Sequence, residues 1–167
     1  MTQEVKRNYL EINSLDDLNQ GSRSSDDYSL NLLDPINFQL NKFFYKNIGN
    51  KHKWVDRLIW TEKQWIDYVS SKNVKTYVLN CKDDLVGFFE LIHHHDNEEV
   101  EIAYLGILEN YHNKKLGSYL LSEAIKISFK NKINRVWVHT CTLDHKYALK
   151  NYMTRGMKIF KTEIINI

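Results

Sequence analysis

The 167-residue sequence has little of several features that mark specialised protein classes. It has only two cysteines, Cys81 and Cys141, both in apolar, strand-like runs, so the disulfide framework of a small secreted domain is not expected. No apolar run approaches the roughly 20 residues that a membrane-spanning helix needs. The N-terminal stretch, MTQEVKRNYLEIN, lacks the apolar centre of a signal peptide. We therefore expect a cytoplasmic protein with no membrane partner.

Neither sign of charge dominates the sequence. Lys and Arg number 23 and Asp and Glu 21, which gives a formal net charge of +2. A nucleic-acid-binding protein usually shows a larger basic excess on one face, so the composition argues against a nucleic-acid partner. Hydrophobic residues make up 43% and aromatic residues 13% of the chain, enough for the core of one domain over residues 1–167.

The first 73 residues are predicted to form one strand and two helices. Segment 1–30 holds a strand over 5–12 and a polar loop over 13–29, and the helical segment 31–73 holds a helix from Asp34-Pro35 to Gly49 and a second from Thr61. Asp34 has the side chain of an N-cap, and Pro35 the fixed backbone angle of a first helical position. Thr61, with Gln64 three residues later, forms a capping-box pattern.

From residue 74 onwards, short runs of β-forming residues alternate with helical patterns. The predicted elements are strands over 74–81, 85–93 and 99–108, a helix over 114–130, a strand over 134–141, a helix over 145–155 and a strand over 157–165. Short turns join the first three strands and predict an antiparallel meander. The strand at 134–141 follows a helix, which favours a parallel neighbour. The order β–α–α–β–β–β–α–β–α–β predicts an α/β domain with a mixed, mostly antiparallel sheet.

A basic loop leads into the predicted helix at 114–130. Its sequence, ENYHNKKLGS, places His112, Lys114 and Lys115 close to the helix start. A helix N-terminus presents unpaired backbone N–H groups and the positive end of the helix dipole, which together bind phosphate. Gly117 allows the backbone to approach a ligand closely. From these residues alone, a pyrophosphate-binding loop and a solvated basic turn remain equally open interpretations.

Two motifs, in order and on the expected elements, resemble the signatures of the GNAT superfamily of acetyl-CoA-dependent N-acyltransferases. The first signature runs hydrophobic–x–Pro, two residues, then Arg/Gln–x–x–Gly–x–Gly/Ala before a helix, and residues 107–117 fall in that register. The second, Asn–x–x–Ala–x–x–x–Tyr–x–x–x–Gly–Phe, is matched by Ala148, Tyr152 and Gly156 at the family's spacing. The resemblance covers roughly residues 40–165 and extends to a bacterial subgroup of undefined substrate.

The sequence departs from the family pattern at several positions. His112 stands where the family has Arg or Gln, Lys115 where it has its first Gly, Glu109 where it has Pro, and His145 where it has Asn. Lys115 adds positive charge but replaces a residue that adopts a positive φ at little cost. Asn113, two residues earlier, tolerates the left-handed region better than most residues.

The resemblance implies that acetyl-CoA serves as co-substrate, without a metal, and that a primary amine attacks it directly in a ternary complex. It also implies the fold, a GNAT-like sheet flanked by helices on both faces, with the acyl-CoA-binding core in 74–167. The implied cofactor contacts are Leu105, Gly106, Ile107, His112, Asn113, Lys114, Lys115, Leu116, Gly117, Ser118 and His145. Gly106 suits a bulge or a close backbone approach, with relief of core crowding as the alternative.

An amine nucleophile needs a base, and the departing thiolate needs a proton donor. Glu101 occupies the place where histone-type members of the superfamily carry a catalytic Glu, so it is the candidate base; an ordinary charged strand residue is the alternative. Glu90, within the apolar run FFELI, is expected to bind the amine, share the base role or pair with a structural cation. Tyr152, at the family's Tyr position, is the candidate acid, with a core aromatic as the alternative.

His139 and Cys141 share one face of their predicted strand. No third ligand for a metal is evident beside them, and the direct-attack chemistry that the resemblance implies requires no covalent Cys–His intermediate.

The acceptor is expected to be a small-molecule or peptide amine. The aromatic-rich segment 43–68 supplies part of the acceptor pocket or belongs to the core.

Many members of the superfamily are dimers, so a homodimer is also compatible with the resemblance. A non-catalytic acyl-CoA sensor or protein-interaction module remains the alternative function.

Overall fold

The structure is a computed structural model that describes residues 2–23 and 25–167. The elements, in chain order, are β1 (Glu4–Ile12), β2 (Tyr28–Leu32), α1 (Phe38–Gly49), α2 (Glu62–Ser70), β3 (Val74–Cys81), β4 (Asp84–His94), β5 (Glu99–Ile107), α3 (Leu116–Ser128), β6 (Arg135–Cys141), α4 (Ala148–Thr154) and β7 (Lys158–Asn166). No helix within the described ranges is long and apolar enough to cross a membrane.

The seven strands form one mixed sheet in the order β2-β3-β4-β5-β6-β1-β7. All neighbouring strands are antiparallel except β5 and β6. The predicted meander, β3 to β5, and the predicted parallel strand, β6, are thereby confirmed. The parallel pairing ends at Glu101 opposite Trp137, although both strands continue. Beyond that pair, β5 and β6 diverge and open a cleft in the sheet.

Helices cover both faces of this sheet, as predicted. On one face α3 packs its apolar side, including Leu120 and Leu121, into the main core, which Tyr152 of α4 also joins. On the other face α1 packs through Phe44 and Ile48, and the Phe44 ring stacks on Phe88 of β4 at 4.9 Å between centroids. The two helix layers therefore enclose the region where β5 and β6 separate.

The structure corrects the predicted loop over 13–29. Its last residues begin β2, which pairs with β3 from Tyr28 opposite Cys81 to Leu32 opposite Tyr77. The sequence of this edge strand, YSLNL, is short and largely exposed, so it carries little of the apolar alternation that identifies a strand.

The start of α1 is also corrected. The helix begins at Phe38 and not at Asp34-Pro35, because the side chain of Asn37 accepts the hydrogen bond from the Gln39 N–H and acts as N-cap. The end at Gly49 agrees with the prediction.

The capping box at the start of α2 is confirmed in both directions. The Thr61 hydroxyl accepts from the Gln64 N–H at 3.2 Å, and the Gln64 side chain accepts from the Thr61 N–H at 2.8 Å. A capping box of this kind satisfies two of the backbone donors that a helix start leaves free.

Candidate active site

A cavity of about 1140 Å³ lies between the diverging ends of β5 and β6. Its walls come from β5, the end of β6, the loop before α3, the helix α4 and the loop over 50–60 between α1 and α2. This volume slightly exceeds the range of ordinary small-molecule sites, so a ligand as long as a coenzyme fits in it.

The bulge that the sequence suggested at Gly106 lies instead at Ala103. The pairing shift between Glu90 and Leu91 of β4 leaves Ala103 as the extra residue of β5. Gly106 serves close packing, because a Cβ there would lie 2.6 Å from Ile48 Cγ2 of α1. The bulge therefore disturbs β5 at the point where the cleft opens.

The start of α3 forms one end of the cavity and presents free backbone donors. Lys115 is its N-cap with φ of +60°, and no side chain caps the helix there. Asn113, with φ of +64°, shares the left-handed conformation that turns the loop into the helix. A Cβ at Gly117 would meet only Asn151 Nδ2, at 3.8 Å, so open space lies beside the first turn. An anionic group fits against these N–H groups.

The predicted cofactor residues converge on this cavity with one exception. Those that line it are Leu105, Gly106, Ile107, His112, Asn113, Lys115, Leu116, Gly117, Ser118 and His145. Lys114 is exposed and lies outside the cavity.

Sequence reasoning missed two cations of the same wall, Lys150 and Arg155, on and just after α4. Arg155 Nε is buried and has no hydrogen-bond partner within the described residues. The signal available was the positive charge around the second motif, but the motif itself assigns no role to these positions.

Three histidines gather where the loop before α3 meets the loop before α4. The His145 ring lies 5.3 Å from that of His112 and 5.9 Å from that of His52, between centroids. The His112 Nε2 lies 2.8 Å from the Ile107 carbonyl oxygen, to which it donates. His145 is exposed, but partial desolvation, and then the neighbouring His112 and His52, lower its pKa. His145 is therefore mainly neutral at neutral pH. Within the described ranges, the structure has no cluster of three or more His, Cys, Asp or Glu side chains that could hold a metal ion.

Tyr152 reaches the cavity from α4. Its side chain is 8% exposed, packs in the main core and also lines the cavity. Burial, and to a lesser extent the Asp144 carboxylate, raise the pKa of the phenol above its usual value of 10. The phenol therefore keeps its proton at neutral pH and is available as a hydrogen-bond donor.

The structure does not bring the two candidate base carboxylates into the cavity. Glu101 lies beyond its inner end, where Oε1 is 3.0 Å from His94 Nε2. Glu90 is 0% exposed and accepts hydrogen bonds of 2.8 Å each from Arg57 and Tyr68 on Oε1 and from Asn41 on Oε2. Of the three roles predicted for Glu90, the structure shows the pairing with a structural cation.

That cation, Arg57, is surrounded by aromatic rings. Its guanidinium carbon lies 4.1 Å from the ring centroid of Tyr68, 4.4 Å from that of Tyr104 and 4.8 Å from that of Trp60. The residue is 6% exposed, and its backbone N–H donates to the Tyr45 hydroxyl at 3.0 Å. These contacts fix the loop over 50–60 to the sheet. The sequence showed the aromatic cluster but not the cation at its centre.

The loop that Arg57 anchors supplies the wall opposite the start of α3. Trp54, Val55 and Asp56 line the cavity there, next to Tyr104 of β5. The Tyr104 ring packs on Trp54 at 4.7 Å between centroids. Part of the aromatic segment 43–68 thus lines the cavity through Trp54, and part of it surrounds Arg57.

Two substitutions of Lys115 separate the effect of its backbone conformation on stability from the effect of its charge. Lys115→Gly and Lys115→Ala remove the same charge, but only glycine adopts the left-handed conformation without the cost of about 1–2 kcal/mol. Greater freedom of glycine in the unfolded chain offsets about 0.4–1 kcal/mol of that gain. We expect Lys115→Gly to be more stable than Lys115→Ala by about 0.5–1 kcal/mol in urea unfolding. Equal stability of the two variants would contradict a left-handed Lys115.

Comparison with known proteins agrees with this geometry. The acetyltransferase (GNAT) family profile matches residues 38–157. Among solved structures, a GCN5-related N-acetyltransferase from Sphaerobacter thermophilus is 12% identical to this chain, with a TM-score of 0.73. The match covers 99% of this chain and 52% of that one. A functionally unknown conserved protein from Staphylococcus epidermidis is 16% identical, with a TM-score of 0.66. That match covers 98% of this chain and 61% of the other.

A third solved structure is an aminoglycoside acetyltransferase from an uncultured soil metagenomic sample. It is 14% identical with a TM-score of 0.65, and the match covers 80% of this chain and 90% of that one. At such identities these likenesses show the fold, and the chain spans only about half to three fifths of the first two structures. No curated protein matches the sequence. Because the family profile covers most of the sequence, the chain belongs to the acetyltransferase (GNAT) family.

Proposed function

We propose that the protein transfers an acetyl group from acetyl-CoA to a primary amine by direct attack in a ternary complex. The observation that carries this proposal is a single cavity that joins the uncapped start of α3, the bulged strand β5 and the Tyr152 phenol. In this proposal, residues 74–167 hold the acyl-CoA, and segment 31–73 walls the acceptor side.

The coenzyme end is suited to phosphate. The first N–H groups of α3 hold the pyrophosphate, and Lys115, Lys150 and Arg155 add positive charge around it. The backbone of β5 from Leu105 to Ile107 faces the cleft, where β6 no longer pairs with it, and is available to the pantetheine arm. Acetyl-CoA supplies an activated thioester at the inner end of this cleft.

At the inner end, the side chains of the protein supply the polar groups. Tyr152 donates a hydrogen bond to the departing sulfur, because its phenol stays protonated. Asp56 lines the acceptor side and attracts a cationic amine before the amine loses its proton. Trp54 and Tyr104 offer apolar surface to the rest of the acceptor.

Calorimetric titration with acetyl-CoA, free CoA and dephospho-CoA tests the coenzyme site. We expect micromolar binding of acetyl-CoA that weakens without the 3′-phosphate, and weakens several-fold in Lys115→Ala. Lys130→Ala, which removes an exposed lysine beyond α3, is the matched control and should bind as the wild type does. No detectable binding at millimolar acetyl-CoA would overturn the proposed function.

Turnover distinguishes an enzyme from an acyl-CoA sensor. A panel of primary amines should include tryptamine, spermidine, short peptides and aminoglycosides, the last because one solved relative is an aminoglycoside acetyltransferase. Mass spectrometry should detect an acetylated product and stoichiometric free CoA for at least one amine. Tight acetyl-CoA binding without product from any amine would favour the sensor and contradict the proposed reaction.

A further inference from the structure

His139 stands on β6 at the inner end of the cavity. It lies two residues beyond Trp137, the last residue of β6 that pairs in parallel with β5, and therefore at the level of the Ala103 bulge. Alternation along the strand puts its side chain on the face of Trp137, opposite the main core, and it lines the cavity there. The ring of Tyr9 on β1 packs against the imidazole at 5.6 Å between centroids.

Four charged groups from different elements face this imidazole. The His139 side chain is exposed to solvent in the cleft, yet partial desolvation by its neighbours, and then the Arg7 guanidinium on β1, lower its pKa below the usual 6.5. Glu101 on β5, Asp144 in the loop before α4 and Asp56 in the loop over 50–60 act in the opposite direction, but they do not outweigh the lowering. The imidazole is therefore mainly neutral at neutral pH, so it can accept a proton.

The neighbouring groups are less suited to take a proton from the acceptor. Glu101 is occupied by His94, and Glu90 is enclosed by its three partners. Asp144 is held by the Cys141 N–H at 3.0 Å and by the Thr140 hydroxyl. Among these groups, only the imidazole is both neutral and directed into the cleft at the level of the bulge.

We propose that His139 is the general base of the acetyl transfer, an assignment that rests on the proposed function. The amine nitrogen forms the C–N bond with the acetyl carbon, the C–S bond breaks, and its electron pair stays on sulfur. The nitrogen gives one proton to the imidazole, and the thiolate takes one either directly from water or from the Tyr152 phenol, which then regains a proton from water. Proton release to solvent restores the neutral imidazole.

The test is a pH profile with the best amine of the panel. Wild-type kcat/KM should rise with pH as the imidazole loses its proton, with an apparent pKa below 6.5. In His139→Gln, kcat/KM should fall by about 10²–10⁴-fold, and this acidic limb should disappear. The Kd of acetyl-CoA should stay within about twofold of wild type, which shows that the variant folds. His95→Gln, in the turn after β4, is the matched control and should retain the wild-type profile.

Two further variants make the assignment decisive. His139→Gly should regain part of its rate when imidazole is added, which a merely structural role would not allow. His139→Gln with near-wild-type kcat/KM and an intact acidic limb would overturn the assignment, as would loss of that limb in Glu101→Gln alone. A wild-type protein that binds acetyl-CoA but acetylates no amine would overturn the proposed function itself, and the base with it.

Discussion

Replacing Arg57 with alanine is expected to lower the free energy of unfolding by about 3–5 kcal/mol. The substitution leaves Glu90 charged and 0% exposed without the guanidinium that lies 2.8 Å from its Oε1. Tyr68 and Asn41 still donate to the carboxylate, but neither neutralises it. Typical domains have only about 5–15 kcal/mol of stability in total, so a large part of it would be lost.

Urea unfolding monitored by tryptophan fluorescence measures this loss. Lys63→Ala is the matched control, because the Lys63–Asp67 pair at 2.6 Å joins side chains that are 82% and 61% exposed. Such a surface pair contributes roughly 0.3–0.5 kcal/mol, so the control should unfold almost as the wild type does. A loss below about 1 kcal/mol in Arg57→Ala would contradict the buried ion pair.

The double variant Arg57→Met with Glu90→Gln removes both charges. It should be more stable than Arg57→Ala, since no unpaired carboxylate remains buried. A double variant that is less stable than Arg57→Ala would contradict the cost assigned to the unpaired Glu90 carboxylate.

The Arg57 side chain links the stability of the fold to the proposed acceptor side of the cavity. Arg57 holds the loop over 50–60 through the aromatic rings of α1, α2 and β5, and that loop carries Trp54 and Asp56 into the cavity. Loosening the loop should therefore raise the KM for the amine more than the Kd for acetyl-CoA, whose expected contacts lie on β5, α3 and α4.

The start of α3 and the basic loop before it could be predicted from sequence because their determinants are local. A phosphate-binding helix start needs a turn, a close-approaching backbone and nearby positive charge, and the stretch from His112 to Ser118 holds all three. Lys115 departs from the family pattern and adopts the left-handed conformation at the N-cap of α3.

The surroundings of the inner end of the cavity could not be predicted in the same way, because they depend on contacts between distant residues. Arg57 and Glu90 are 33 positions apart, and no local pattern pairs them. The sequence predicted a strand over 5–12, but not its insertion between β6 and β7, which brings Arg7 and Tyr9 to His139. The motif also directed attention to Glu101, whereas packing places that carboxylate beside His94.

Replacing Tyr152 with phenylalanine is expected to lower kcat by roughly 10²-fold while leaving the Kd of acetyl-CoA unchanged. The Tyr152 side chain on α4 is buried in the main core and also lines the cavity. In the proposed reaction, removal of the hydroxyl takes a hydrogen-bond donor from the departing sulfur without creating a core void.

Steady-state kinetics with the best amine, beside calorimetry with acetyl-CoA, measure the two effects separately. Tyr119→Phe, on α3 and outside the cavity, is the matched control for loss of a half-buried phenol and should keep its rate. Because burial raises the pKa of Tyr152 above 10, the wild type should show no loss of rate from phenol ionisation up to that pH. An unchanged kcat in Tyr152→Phe would make Tyr152 a core aromatic, and the sulfur would then take its proton from water alone.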